Sequence, residues 1–554
     1  MTAHSAVGAE LTTGRLSLRL YIMLTLLALA VLSPGLATLP VTDRDEARFA
    51  QASRQMSVSG DWVDIRFPDE TRYKKPAGIY WLQATAVNLS GQAGASEIWV
   101  HRLPSLFAAA LACATLAWAG APLVGRRAAA ISGAMMAALL IVQVEARLAK
   151  TDAALLLATI LAMGALFRAR LGQNAAWIAF LFWTALAAGV LLKGPVIMLP
   201  VSGLIFWLWV REGHPRWLIR LHPLPGALWA ASLTLPWYLA IIWTSDGTFL
   251  SASLGQDFGA KLMSGQESHG APPGSYLMAF WLTFWPWTAL VPTAAFWAWH
   301  NRDEVAFSLL AGWCIPAWIV LEIVPTKLLH YPLSLYPALL LVVGAAAIGL
   351  LDGRLRFKGR SSILGALFFA GTTLALAALM ILGPARLGEG IAVPATLGAL
   401  LSTAFGALAL FWLWREAPER GLIALGASGA AMLATAAGFG LPSMDRLWIA
   451  EKMVGETRLE TCIEGPVAIA GHGEPSTVFR LGGDTLLTDV EGAKEALAAG
   501  RAAAAWIAAD AAGEAGGDHI AEIEGFNYSN GQDVRLRLHL PPGAAAKPCA
   551  EVPS

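Results

Sequence analysis

The chain has 554 residues, with 39 basic and 39 acidic side chains, so it carries no net charge to recruit nucleic acid. Hydrophobic residues make up 56% and charged residues 14%; soluble domains carry roughly 25% charged residues, which excludes an ordinary soluble globule. The 23 tryptophans, with frequent glycine and proline, suit membrane spans and their interfaces.

A span needs about 20 mainly apolar residues. In chain order this rule predicts spans near 18–38, 101–121, 128–145, 148–167, 175–191, 194–210, 224–243, 277–298, 305–323, 332–351, 362–383, 392–413 and 421–440, roughly thirteen in all. Arg15 and Arg19 precede the first apolar run as in a signal peptide, but the further spans favour an uncleaved anchor. With the N-terminus inside, every second loop is basic: Arg126 and Arg127, Arg168 and Arg170, Arg211 to Arg220, Arg302, Arg354 to Arg360, and Arg415 with Arg420. The other loops are expected outside, together with residues 442–554. Four cations break the charge rule on that side: Arg147, Lys150, Lys193 and Lys327. Local salt bridges or headgroup contacts are one explanation, and a role in a site is the other.

Two parts are expected: a transmembrane body over 1–441, with its first outer loop at 39–100, and an outer domain over 442–554. In the latter, Val467–Ala470 and 502–507 read as buried strands and 491–500 as a helix; 535–540 alternates after an Asn530-Gly531 turn. This predicts a small α/β domain. Cys113 and Cys314 lie in apolar runs and read as packing residues. Cys462 and Cys549 are candidates for a pair if their region faces an oxidising compartment.

The first outer loop concentrates the chemistry. It reads Asp43-Arg44-Asp45-Glu46-Ala47-Arg48-Phe49, then Ser59-Gly60-Asp61-Trp62, Tyr73-Lys74-Lys75-Pro76 and Tyr80-Trp81. Carboxylates just beyond a span accept a proton from an attacking hydroxyl, and the lysines hold a phosphate. The plainer reading is a solvated helix with charge pairs one turn apart. Asp152 after Thr151 is either a helix N-cap or a second acidic site residue. Lys193-Gly194-Pro195 is either a tight turn with a snorkelling lysine or a phosphate contact. His269, between Glu267 and Gly270, is a hydrogen-bonded loop residue or a ligand.

Asp45-Glu46-Ala47-Arg48-Phe49, Ser59-Gly60-Asp61-Trp62 and Lys75-Pro76 with Tyr80-Trp81 resemble the first periplasmic loop of the bacterial aminoarabinose (lipid A) transferase and dolichyl-phosphate-mannose-protein mannosyltransferase families. Further matches follow in the same order: Arg102-Leu103-Pro104-Ser105, Ala146-Arg147 with Thr151-Asp152-Ala153, Lys193-Gly194-Pro195, and Leu235-Pro236-Trp237-Tyr238. Glu267-Ser268-His269-Gly270, Pro286-Trp287, Thr326-Lys327-Leu328, His330-Tyr331-Pro332 and Tyr336-Pro337 complete the series. The resemblance implies a GT-C fold, that is, a polytopic α-helical membrane protein of about thirteen spans with a small C-terminal α/β periplasmic domain. It implies an inverting glycosyltransferase of the bacterial inner membrane, moving a monosaccharide from undecaprenyl phosphate to lipid A or another envelope glycolipid. Protein serine or threonine is the alternative acceptor. A lipid-linked sugar flippase is the alternative of another class, against which the apolar runs are largely free of charge.

On that resemblance Asp45 is the base, with Glu46 and Asp152 organising the site, while Arg48, Lys75, Lys193, Lys327 and Tyr331 bind the donor phosphate. Glu267 and His269 fall in a substrate loop. No cofactor is required, because phosphate leaves as a stabilised anion. The metal question stays open: some members hold a divalent ion with a histidine at 269 and a glutamate where this chain has Lys74. Phe49 stands where a tyrosine is usual, a second departure.

Overall fold

The computed structural model describes residues 16–68, 70–91, 96–253, 270–461, 465–512 and 519–541. Cys462, Cys549, Glu267 and His269 lie outside these residues. Among the described residues, nine helices are long and apolar enough to cross a membrane, or ten if the bent pair Arg126–Ala137 and Leu140–Ala146 counts as one span. The chain is a multi-pass membrane protein.

Two expected spans are broken rather than straight. The stretch expected at 128–145 bends by 59° between its two helices. That expected at 277–298 divides into Ser275–Thr283 and Val291–His300, separated by Pro286 and a short 3-10 turn. Backbone groups freed by a break inside lipid must find partners in protein. Here the breaks satisfy each other: Leu140 N–H donates to the Trp285 carbonyl at 2.9 Å, and the Trp287 indole donates to the Met135 carbonyl at 2.7 Å. Gln143 closes the remaining gap by donating to the Ala137 carbonyl.

Helical character is continuous over Ala176–Glu212, 37 residues. Straight, it would extend roughly 55 Å at about 1.5 Å per residue. Yet Arg170, just before its start, pairs with Glu212 at its end, 2.5 Å apart. The chain therefore reverses at Lys193-Gly194-Pro195, where Gly194 adopts φ +65°. That turn places Lys193 at the same end of the bundle as the loop before Asp152.

The loop after the first helix, Leu18–Leu32, folds into its own layer. Helix Asp45–Ser59 stops at the left-handed Gly60. The short antiparallel pair Arg66–Phe67 (β1) and Glu70–Thr71 (β2) follows, then helix Gly78–Leu89. Gly78 matters here: a Cβ at this position would lie 2.7 Å from the Leu191 carbonyl oxygen. Its bare backbone lets helix Gly78–Leu89 dock beside the end of helix Ala176–Lys193, which carries Lys74 and Lys75 toward Lys193.

Beyond residue 448 the chain forms a five-stranded sheet. Its strands are Val467–Ala470 (β3), Leu486–Thr488 (β4), Ala504–Ala508 (β5), His519–Asn527 (β6) and Gln532–His539 (β7), in the order β4-β3-β5-β7-β6. β3 pairs in parallel with β4 and β5, while β5–β7 and β6–β7 are antiparallel. Helix Ile449–Thr461 packs on one face through Ile449 and Met453, and helix Val490–Ala498 on the other through Ala493, Ala496 and Leu497. The Asn530-Gly531 turn joins β6 to β7 with Gly531 at φ +76°.

This sheet unit is fastened to the first loop. The Asp43 N–H donates to Tyr528 Oη at 2.7 Å, the Ser476 N–H donates to Asp43 Oδ1 at 3.2 Å, and Arg44 donates to the Ser529 carbonyl at 3.0 Å. Phe479 joins Val41, Ala47, Ala50, Ile98 and Ala149 in one apolar cluster.

Candidate active site

Four loops meet at one end of the bundle: residues 72–76, 147–152, 193–195 and 330–334. They enclose a cavity of about 240 Å³ lined by Lys74, Lys75, Asp152, Lys193, His330 and Tyr331 on its polar side. Leu155, Leu156, Leu199, Val320, Leu321 and Val324 form its apolar wall. A cation-rich mouth over an apolar slot suits an anionic head on a hydrocarbon tail.

The polar groups form a connected set. Lys193 Nζ donates to Asp152 Oδ1 at 2.6 Å and stands 5.4 Å from the Tyr331 ring centroid. Lys150 Nζ donates to Glu145 Oε1 at 3.2 Å. His330 bridges the two carboxylates, with Nε2 3.8 Å from Asp152 and Nδ1 3.8 Å from Glu145. Burial pushes the His330 pKa below its usual range, so the ring is neutral at pH 7.

Asp45 opens helix Asp45–Ser59 and is exposed to solvent, though ringed by protein. That surrounding protein raises its pKa; Lys150, Arg72 and Lys75 more than offset the rise and hold the carboxyl below its ordinary value. With His330 neutral, Lys150, Arg72 and Lys75 are the cations that matter. Arg44, the preceding residue, sits at φ +63°, a conformation costing a non-glycine residue roughly 1–3 kcal/mol. The contacts of Asp43 and Arg44 with the sheet unit hold that kink and fix where Asp45 begins its helix.

Lys327 and Arg48 stand elsewhere, and Glu46 meets the cavity only through the loops it joins. Glu46, one residue from Asp45, has a fully buried side chain paired with Arg102 through Nε at 2.8 Å and Nη2 at 2.9 Å. It also accepts from the Thr42 and Ala149 N–H groups at 2.9 Å. Its oxygens accept from Arg102, Thr42 and Ala149, so it ties the first loop to the 147–152 loop. Lys327 directs its ammonium to the carbonyls of Leu321, Glu322 and Val324, at 3.2, 2.9 and 2.6 Å. It caps helix Val305–Ile323, and its three donors are occupied. Arg48 lines a different cavity, against the sheet unit.

The four rule-breaking cations therefore divide evenly. Arg147 donates to the Val31 and Pro34 carbonyls at the end of the first helix, and Lys327 caps another helix. Lys150 and Lys193 sit on carboxylates at the site. The sequence marks Lys150 by its charge and His330 by its place beside Tyr331, whereas Arg72 and Glu145 go unmarked. The charge-rule violation at Lys150 was the available signal; Arg72 carried none.

A divalent ion does not fit the described residues. Lys74 lines the cavity where a carboxylate ligand would be needed, and its ammonium repels a cation. Among the described residues, no group of three or more His, Cys, Asp or Glu is arranged to hold a metal.

The solved structure of ArnT from Cupriavidus metallidurans bound to undecaprenyl phosphate superposes with a TM-score of 0.72 at 19% identity, covering 93% of this chain and 97% of that one. The fold is GT-C. The apo form of the same GT-C protein gives a TM-score of 0.71, at 18% identity. Residues 74–243 match the model of the dolichyl-phosphate-mannose-protein mannosyltransferase family, a stretch containing Lys75, Asp152 and Lys193. The chain also resembles undecaprenyl phosphate-alpha-4-amino-4-deoxy-L-arabinose arabinosyl transferases. The one from Enterobacter sp. (strain 638) is 28% identical over 349 residues, 61% of each chain. That from Pectobacterium carotovorum is 28% identical over 405 residues, 69% of this chain and 67% of that one. The match thus spans about three fifths of the Enterobacter relative's length.

Proposed function

We propose that this protein is an inverting glycosyltransferase that moves a monosaccharide from undecaprenyl phosphate to lipid A or another envelope glycolipid. On this reading it spans the bacterial inner membrane thirteen times, with the site and the 442–554 domain in the periplasm. The observation that carries it is the cavity in which Lys75, Asp152, Lys193 and Tyr331 meet over an apolar slot, beside the solvent-open Asp45. The relatives named above act with undecaprenyl phosphate-linked aminoarabinose, which supports a polyprenyl phosphate as the donor lipid.

The chemistry balances without a further reactant. The acceptor hydroxyl oxygen attacks the anomeric carbon from the face opposite the phosphate, and Asp45 takes its proton. The carbon–oxygen bond to phosphate breaks, and polyprenyl phosphate leaves as an anion that Lys75 and Lys193 stabilise. Asp152 holds Lys193 in position, and Tyr331 lies against the same ammonium. Its cationic neighbours keep Asp45 ionised while lowering its proton affinity, so the proton passes to it only as the hydroxyl oxygen bonds to the anomeric carbon and becomes acidic.

Transfer to protein serine or threonine is the second reading, supported by the matched family's name. Mass spectrometry of membrane lipids and proteins from cells with wild type, Asp45→Asn or no protein separates the two. A sugar-sized gain on glycolipid that requires Asp45 is expected. A gain that persists in Asp45→Asn would remove the base assignment.

A further inference from the structure

Lys150 does not line the cavity, yet its charge acts on Asp152 at the cavity wall and on Asp45 beside it. Its side chain is buried within the 147–152 loop, where the ammonium donates to Glu145 Oε1 at 3.2 Å. Burial opposes that charge, but the carboxylates of Glu145, Asp152 and Asp45 outweigh it and keep the ammonium protonated. A lysine is otherwise a mobile charge on a flexible four-carbon stem. Here Glu145 grips its head. The backbone beneath is fixed as well: the Ser105 hydroxyl donates to the Lys150 carbonyl at 3.2 Å, and the Ala149 N–H donates to Glu46 Oε1 at 2.9 Å. Glu46 is the chain neighbour of Asp45, so one buried carboxylate sets where Lys150 stands relative to Asp45.

The protein around Asp45 disfavours its charge, and Lys150, Arg72 and Lys75 counter this in that order. They differ in what else they do. Lys75 lines the cavity with Lys193, so both meet the phosphate of a bound donor. Arg72 donates to Tyr80 Oη at 3.2 Å and lies over the Phe49 ring, 5.3 Å from its centroid. His330 is neutral, Glu46 is paired with Arg102, Arg44 donates to the Ser529 carbonyl, and Arg48 lines the cavity against the sheet unit. A lipid phosphate brings negative charge, and a like charge nearby favours the protonated form of a carboxyl, which accepts no proton. A cation fixed behind the cavity goes on opposing that once the phosphate has bound.

We propose that Lys150, gripped by Glu145, is a positioning residue that acts through Asp45: its fixed positive charge holds that carboxylate in the proton-accepting state while the donor phosphate occupies Lys75 and Lys193. This rests on the glycosyltransferase reading for the roles of donor and base; the coupling of Lys150 to Asp45 does not depend on it.

The test uses the full chain in detergent and two readouts. Infrared difference spectra of each protein against the same protein carrying Asp45→Asn follow the protonation of Asp45 with pH and need no substrate. Transfer from undecaprenyl phosphate-linked aminoarabinose to lipid A gives the pH profile of kcat/KM, which reports the base in the free enzyme. Lys150→Met should move the Asp45 titration and the acid limb of transfer to higher pH together. Transfer near pH 5 should fall about tenfold, while near pH 8 it should stay within about twofold of wild type. Lys150→Arg should restore both profiles, whereas a purely structural loss lowers transfer at every pH. The double variant Glu145→Gln with Lys150→Met leaves no buried carboxylate unpaired and replaces Lys150→Met if that protein does not fold. An unmoved Asp45 titration in the folded variant, or a moved titration with an unchanged transfer profile, overturns the proposal. A moved titration without transfer by wild type at any pH would count against the glycosyltransferase reading and leave the coupling of Lys150 to Asp45 in place.

Discussion

Asp152 holds the ammonium of Lys193 at 2.6 Å, although the two residues belong to different helices 41 positions apart in the chain. The pair sits at the cavity mouth, so the carboxylate fixes where the positive charge points. Lys193→Ala should raise the Kd for undecaprenyl phosphate about ten- to a hundredfold, the worth of a hydrogen bond to a charged group. Asp152→Ala should lose nearly as much, and the double variant little more, because both changes remove one unit. Equilibrium binding of the lipid phosphate measures this, and additive losses would show that Asp152 and Lys193 act separately.

Asp45 and Glu46 are neighbours with opposite expected phenotypes. Asp45→Asn should lower transfer about 10²- to 10⁴-fold, the usual range for a general base. The protein should still fold, with a modest fall in melting temperature from the lost attraction to Lys150, Arg72 and Lys75.

Glu46→Ala leaves the buried Arg102 guanidinium without its carboxylate. Removing one partner of a buried pair costs about 3–5 kcal/mol. Loss of folded protein, followed by size exclusion and thermal unfolding, is the expected result. A stable but inactive Glu46→Ala would return Glu46 to the reacting site.

Lys327→Ala separates helix capping from phosphate binding. The lysine neutralises the carbonyl end of helix Val305–Ile323, so its removal should cost about 0.3–1 kcal/mol of stability. Donor affinity should stay within about twofold of wild type. A tenfold weaker Kd would mean that the ammonium leaves its carbonyls when the donor binds.

Asp43 gives a pH signature to the junction between the first loop and the sheet unit. Burial pushes its carboxyl up to about 6, outweighing the Ser476 hydrogen bond. A raised carboxyl favours the protonated folded form. That contribution is fully present below the unfolded value near 3.9 and is lost as pH rises through about 6. The melting temperature of wild type should therefore fall between about pH 4 and 6, whereas that of Asp43→Asn should not. Parallel curves for the two proteins would contradict this assignment.

Much of the architecture is legible in the chain because lipid imposes a simple rule: apolar runs of sufficient length become helices. Short ordered motifs likewise mark Asp45, Lys75, Asp152, Lys193 and Tyr331 as candidates, because they place charged and aromatic groups together at the ends of apolar runs. The strands Val467–Ala470 and Ala504–Ala508 are readable as apolar runs between turn signals. The breaks near residues 138 and 286 are not, because each is tolerated only where the other supplies its hydrogen bonds.

The sequence by itself determined which side chains were available at one end of the bundle and that a membrane would hold them there. Only the tertiary structure decided their partners: Glu46 to Arg102, Lys327 to a helix end, Arg48 to a second cavity, and Arg72 and Lys150 to Asp45. Charge and hydrogen bonding act over a few ångströms of space. Residues 45, 72, 150, 193 and 330 acquire a common chemistry only when four loops distant in the chain are folded together.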